Sequence, residues 1–320
     1  MLGLTNALSQ AKSLPSELRL KKLRETYRNL SRYQRRTLYA WLTISPVIIW
    51  IALYIYGAVL YNVIVSFGEI TTVDGLVVTG TLDNYARLFS DRVFVSALVN
   101  TLLLFLTIPV SIGLGLLIAL MLDRKFPGNH LFRAIFFLPY VVMMVAVAVI
   151  WQFMFNTNAG IVNYFLLQLG LVNDPIPWLS NRWWALTAIF IVQVWKTTGF
   201  FVVIILAGMQ TIPQQIYEVA KIDSAGPVDR FRYLTLPLLK PTLGICFLVG
   251  IPLSFALFDL IMVLTGGGPG NSTHHLLTWI YAQSFRFSEF GYGAVLSNVM
   301  IVLTIGLTVL GRKIQTSQYS

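Results

Sequence analysis

Long apolar runs separated by short polar stretches dominate the pattern along the chain. Six runs reach the ~20 residues a helix needs to cross a bilayer: 41–67, 94–122, 133–155, 183–208, 241–265 and 292–311. The connection 68–93 is polar, with Gly75 and Gly80 marking turns. The connection 156–182 carries Asn156, Asn158, Gly160, Asn173, Pro175 and Pro177, and within it Ile161, Tyr164, Phe165 and Leu169 recur at the spacing of a short interfacial helix. The connection 266–290 opens on Gly266-Gly267-Gly268-Pro269-Gly270, which no helix survives. The pattern predicts an all-α polytopic membrane protein with six transmembrane helices.

Composition removes the competing classes. Of 320 residues, 56% are hydrophobic and 11% charged, against roughly 25% charged in a soluble domain. Disorder needs low hydrophobicity, and a disulfide scaffold needs more than the single Cys246. The formal charge of +10 has a topological explanation, so no nucleic-acid partner is expected. Lys and Arg concentrate in 1–40, at Arg124, Lys125 and Arg133, at Lys221, Arg230, Arg232 and Lys240, and at Arg312 and Lys313. The alternate connections hold only Arg87, Arg92, Arg182 and Arg286. By the positive-inside bias both termini are then cytoplasmic. Segment 1–40 is too long and polar for a signal peptide. Its Leu20, Leu23, Tyr27 and Leu30 fit either an amphipathic helix on the inner leaflet or a solvated basic tail. Residues 312–320 form a cytoplasmic tail.

Several chemistries lack their residues. Lys196-Thr197 has no glycine-rich loop before it, so no ATP site is expected. His130, His274 and His275 lack Cys, Asp or Glu partners at metal-ligand spacing, and no nucleophile elbow or zinc-protease motif occurs. The chain is expected to be no enzyme and to carry no cofactor of its own.

The cytoplasmic connection 209–240 is long for a small membrane protein. Thr211 and Gln214 fit a capping box and Pro213 a first helical turn. Ile216, Val219 and Ala220 fall on one helical face, and Gly226-Pro227 is a stop. A second short helix is expected from Pro227 to about Thr235, ending before Pro237. A mere surface hairpin is the bland alternative.

This segment resembles the cytoplasmic EAA loop of permease subunits from binding-protein-dependent ATP-binding-cassette (ABC) importers. The family pattern is Glu-Ala-Ala, three residues, Gly, nine residues, Ile-x-Leu-Pro. Here Glu218-Val219-Ala220 and Leu234-Thr235-Leu236-Pro237 occupy its ends, while Ser224 stands at the Gly position and Gly226 follows two residues later. Asp123–Gly128, Leu131–Pro139 and Leu264–Asn271 look like the carbohydrate branch, the maltose and glycerol-3-phosphate type. The likeness covers about 41–311, without the large periplasmic insertion of the bigger maltose permease subunit. It implies a type I ABC importer permease fold in a bacterial or archaeal cytoplasmic membrane. It also implies a second homologous permease, two ATPase subunits that hold the ATP and Mg, an extracytoplasmic solute-binding protein and a sugar substrate. Tyr217, Glu218, Ala220, Asp223, Ser224, Gly226, Arg230, Leu236 and Pro237 become the ATPase-coupling candidates.

Polar groups inside spans usually face a cavity or a partner. Tyr140 (beside Pro139 at an expected break), Gln193, Lys196, Thr197, Ser254, Phe258 and Asp259 are therefore the substrate-path candidates. For Lys196 and Asp259 a structural anchor is an equal reading. Trp183 and Trp184 are expected as interfacial anchors, and Gly113 and Gly115 as helix-packing contacts. A polyol phosphate or polyamine is the alternative solute. A self-contained secondary transporter or a membrane scaffold would have no reason to present an ATPase-docking helix.

Overall fold

The structure is a computed structural model that describes residues 31–71, 75–78, 80–123 and 127–316. The basic segment with Leu20, Leu23, Tyr27 and Leu30, the residues Arg124 and Lys125, and the end of the tail lie outside the described residues. The chain divides into two compact units, Met1–Tyr61 and Asn62–Ser320.

In the first unit, α1 (Arg32–Ile51) continues through a wider π turn (Ala52–Tyr56) into α2 (Gly57–Ser66), which crosses the boundary between the units. Thr37 and Thr43 donate to the carbonyls of Tyr33 and Tyr39, which satisfies their hydroxyls inside an apolar helix. Trp50 and Tyr54 stack at 4.0 Å.

The second unit follows as a hairpin of β1 (Gly68–Thr71) and β2 (Gly75–Val78), then α3 (Asp83–Arg87), α4 (Arg92–Phe105), α5 (Thr107–Leu122), α6 (Asn129–Val141) and α7 (Met144–Met154). Next come α8 (Ile161–Gln168), α9 (Arg182–Gln210), α10 (Gln214–Ile222), α11 (Pro227–Arg230) with a π turn over Phe231–Thr235, and α12 (Leu236–Phe255). The chain ends with α13 (Phe258–Leu264), α14 (Leu276–Tyr281) and α15 (Phe290–Thr316). The hairpin is an addition to the all-helical expectation, with Gly68 opposite Val78 in antiparallel register. Its signal was the Asp74-Gly75 turn dipeptide beside Leu76-Val77-Val78.

Five continuous helical stretches are long and apolar enough to span: Tyr39–Ser66, Arg92–Leu122, Arg182–Gln210, Pro227–Phe255 and Phe290–Lys313. The sixth expected span, 133–155, is instead the pair α6 and α7, bent by 95°. Pro139 sits inside α6, and the break falls just after it, where Val142 and Met143 are extended. The fifth span also differs from 241–265. Its helix begins at Pro227, passes Pro237, Pro241 and Pro252, and breaks after Phe255 before α13. A proline supplies no N–H to the turn before it. The π turn absorbs the first loss, since Leu236 N–H donates to Phe231 O, five residues back. The connection 209–240 therefore ends in no second separate helix; its last part is the base of the span.

Helix α9 is the axis of the second unit. Of its most apolar stretch 67% is buried, against 33% or less for the other spans. It packs on α5, α6 and α12. Gly115 permits the α5 approach, because a Cβ there would sit 3.1 Å from Phe201 Cβ; Gly113, the other expected packing glycine, faces open space. Helix α8 forms where expected, with Tyr164 and Phe165 exposed and Asn163 buried, accepting from Trp178 Nε1 at 2.9 Å. Trp183 and Trp184 are exposed at the start of α9.

At the opposite end of the spans from α10, Asp91 caps α4 by accepting from Val93 and Phe94 N–H. It also accepts from Trp279 Nε1 (2.9 Å) and Tyr292 OH (2.7 Å). Burial pushes this carboxyl upward, yet the four hydrogen bonds prevail and hold it below the usual value. Arg87 lies over the Tyr292 ring at 4.3 Å and pairs with Glu289 at 3.1 Å.

Candidate functional site

The connection between α9 and α12 is built from local rules. Thr211 keeps helical dihedrals, so its hydroxyl turns back to Gly208 O at 2.8 Å. The expected capping box is absent: Pro213 is the N-cap of α10, and no side chain caps that end. The expected stop at Gly226-Pro227 also moves. Helix α10 ends two residues earlier in a Schellman turn, with Ser224 N–H donating to Lys221 O and Ala225 N–H to Ala220 O. That turn needs a left-handed residue, and Ser224 supplies it at φ 58°. Gly226 has φ −67° and merely precedes Pro227 at the start of α11.

Tyr217 OH lies 3.1 Å from Thr235 Oγ1, tying α10 to the base of α12, and Arg230 Nε donates to Gly226 O at 3.4 Å. Ala220 is buried, whereas Val219, Ile222, Val228 and Tyr233 are exposed. The apolar face expected from Ile216, Val219 and Ala220 is thus divided: Ala220 packs inward and Val219 outward. Glu218, Asp223 and Ser224 are also exposed. Leu236 and Pro237 open α12. The result is a short helix between two spans that exposes Val219 and Ile222 beside Glu218 and Asp223, followed by a turn and helix base that expose Val228 and Tyr233.

The substrate-path candidates separate into groups. On α9, Gln193 is buried with Nε2 on Leu253 O at 3.4 Å, next to the buried Ser254, whose hydroxyl donates to Ile251 O at 2.8 Å. Thr197 Oγ1 lies 2.9 Å from Ser111 Oγ, and Gln193 Oε1 has no hydrogen-bond partner among the described residues. These residues form one polar seam among α5, α9 and α12. Lys196 faces elsewhere: its Nζ donates to the carbonyls of Pro139 (3.1 Å), Tyr140 (3.2 Å) and Val142. An ammonium has three hydrogens, so none is left for a solute. Tyr140 stacks on Phe200 at 4.5 Å. Phe258 meets Tyr281 edge-on at 5.0 Å, and Asp259 is exposed in the first turn of α13, apart from the seam.

Sequence reasoning missed Ser111 and a buried network that pins the loop before α14. Asn100 donates to Ser272 O and His274 O, both at 2.8 Å, and Thr101 Oγ1 accepts from Leu276 N–H. His274 Nδ1 lies 3.0 Å from Thr278 Oγ1. Gly267, at φ 88°, lies so close to the His274 ring that any side chain would overlap it. An Asn-Thr pair inside the apolar run 94–122 was the available signal. Burial lowers both histidines, His274 to about 4 and His275 to about 3. Arg286 adds to the shift at His274, and a hydrogen bond to the Ser254 backbone carbonyl opposes it at His275. Among the described residues no group of His, Cys, Asp and Glu could hold a metal ion.

Comparison with known proteins fits this architecture. Residues 111–315 match the family described as binding-protein-dependent transport system inner membrane component. The lactose transport system permease protein of Rhizobium radiobacter is 36% identical over 277 residues, which covers 84% of this chain and 91% of that protein. The trehalose/maltose transport system permease protein of Thermococcus litoralis is 38% identical over 236 residues, covering 73% and 78%. The crystal structure of a bacterial ABC transporter involved in alginate import contains a chain of the same fold. That chain has a TM-score of 0.77 and 21% identity, with 90% of this chain and 99% of that one covered. The fold is thus shared over nearly the whole of that chain, and this chain belongs to the binding-protein-dependent transport system inner membrane component family: it is a multi-pass permease subunit of an ABC transporter.

Proposed function

We propose that this permease imports a carbohydrate across the cytoplasmic membrane of a bacterium or archaeon by alternating access, driven by partner ATPase subunits. The observation that carries the coupling is the exposed strip of Val219, Ile222, Val228 and Tyr233 beside Glu218 and Asp223. Exposed apolar side chains grouped on one element and rimmed by charge favour a protein partner over solvent. The distribution of Lys and Arg supports placing this strip and both termini on the cytoplasmic side. Two ATPase subunits with ATP and Mg, a second homologous permease and an extracytoplasmic solute-binding protein complete the assembly. The chain itself has no catalytic role and needs no cofactor.

Carbohydrate is supported by the transport names of the lactose and trehalose/maltose relatives. The seam of Gln193, Thr197 and Ser254 offers amide and hydroxyl groups suited to a neutral sugar. Lys196 has no donor to spare for a phosphate, which disfavours a polyol phosphate. The first test is to purify the tagged chain from its own membrane in mild detergent and identify what accompanies it. A second permease and a P-loop ATPase are expected. Reconstitution with the binding protein should then give ATP-dependent uptake of a labelled di- or oligosaccharide. Recovery of the chain alone, folded and transport-competent, would overturn the reading.

A further inference from the structure

The break in the third span exposes backbone that a bilayer cannot satisfy. Helix α6 stops at Val141, Val142 and Met143 are extended, and α7 leaves at 95°. The last carbonyls of a helix have no partner within it, and the hydrocarbon offers no water to replace one. Three of the oxygens at this break, on Pro139, Tyr140 and Val142, instead accept from the ammonium of Lys196 on α9. The cation also sits at the negative end of the α6 dipole.

Two further contacts bind the same turn of α6 to the same stretch of α9. Gly199 lies against the Phe136 carbonyl so closely that a Cβ would overlap it. The ring of Tyr140 stacks on Phe200 at 4.5 Å with 21° between the planes. Lys196, Gly199 and Phe200 thus grip α6 from within five residues of α9. From there α9 runs unbroken to Gln210, and only Thr211–Pro213 separate it from α10.

We propose that Lys196 is a transmission clamp: it makes the broken end of α6 ride on α9, so that displacement of α10 reaches the bend at Val142–Met143. This rests on the reading that a partner ATPase moves α10. Lys196 is then a positioning residue, with its charge spent on backbone and none on the solute.

The test uses the complete reconstituted transporter with spin labels at Leu138 on α6 and Val203 on α9, both exposed positions. The distance between the labels should stay the same in the nucleotide-free and ATP-trapped states while the preparation hydrolyses ATP and takes up sugar. A distance that changes between those states overturns the proposal. A chain that associates with no ATPase overturns the reading beneath it, a distinct result. In Lys196→Met the distance distribution should broaden, and solute moved per ATP hydrolysed should fall roughly tenfold, within the range for residues that carry coupling. Lys196→Arg, which keeps the cation and its donors, should restore both. An unchanged distance and ratio in Lys196→Met also overturn the proposal. If Lys196→Met fails to assemble, the measurement on the unsubstituted lysine still decides.

Discussion

Ser224 carries a local cost that the rest of the loop sustains. An L-residue in the left-handed region is disfavoured by roughly 1–2 kcal/mol, and glycine is not. The Schellman turn at the end of α10 nevertheless places Ser224 there, at φ 58°. Ser224→Gly should therefore raise stability by about 1 kcal/mol, less the extra freedom glycine gives the unfolded chain. A β-branched Ser224→Val should lower it. Thermal unfolding of the purified chain in detergent reads both, and an unfolding temperature lowered by glycine would contradict the argument. The two buried histidines make a second prediction. Their folded values, about 4 and about 3, lie below the ordinary value near 6.5. Between these values the unfolded chain binds the extra protons, so stability is complete above about pH 6.5 and drains as pH falls toward 4 and then 3. The unfolding temperature should thus drop between pH 7 and pH 5, and His274→Gln with His275→Gln should flatten that slope.

At the scale of elements, the proposed role of α10 as a lever requires that both its ends be held. The Schellman turn holds one end to α11, and the Tyr217–Thr235 hydrogen bond holds the body to the base of α12. Tyr217→Phe should cost about 1 kcal/mol of local stability, visible as faster amide exchange in 214–222 with the spans unaffected. If these exposed residues form the proposed docking face, Ile222→Asp should weaken ATPase association by about 1.4 kcal/mol, tenfold, as for a central interface residue. Glu218→Lys should weaken it through the polar rim. Both variants should insert normally in the membrane; full ATPase recovery in pull-downs with both would remove the docking role. The elements also show which local signals misled. Thr211, Gln214 and Gly226 read as a cap and a stop, but Thr211 belongs to the preceding helix and Gly226 to the following one. Pro237 read as an end, but a π turn carries the helix past it.

Across the whole molecule, the polar seam of α5, α9 and α12 depends on side chains far apart in sequence, such as Ser111 with Thr197 and Gln193 with Leu253. If the seam lines the solute path, Gln193→Ala and Ser254→Ala should each reduce sugar uptake while the complex still assembles. Unchanged uptake kinetics in both would exclude them from the path. Orientation is tested independently: a cysteine placed at Asp223 should be labelled only from the cytoplasmic side, and one at Asp174 only from outside.

The approximate positions of the first, second, fourth and sixth spans were legible in the linear pattern, because crossing hydrocarbon demands long apolar helices whatever surrounds them. The basic residues carry the proposed sidedness, and the Glu218–Pro237 spacing carries the proposal that this loop couples to an ATPase. These are properties of consecutive residues. Tertiary structure decided that the third span is a pair of helices at 95° and that Lys196 serves their carbonyls. It also decided that Gly115, and not Gly113, marks a helix contact. Each of these turns on which distant groups meet. A carbonyl left open by a break in one helix can be closed only by a donor on another, and no periodicity along the chain records that meeting.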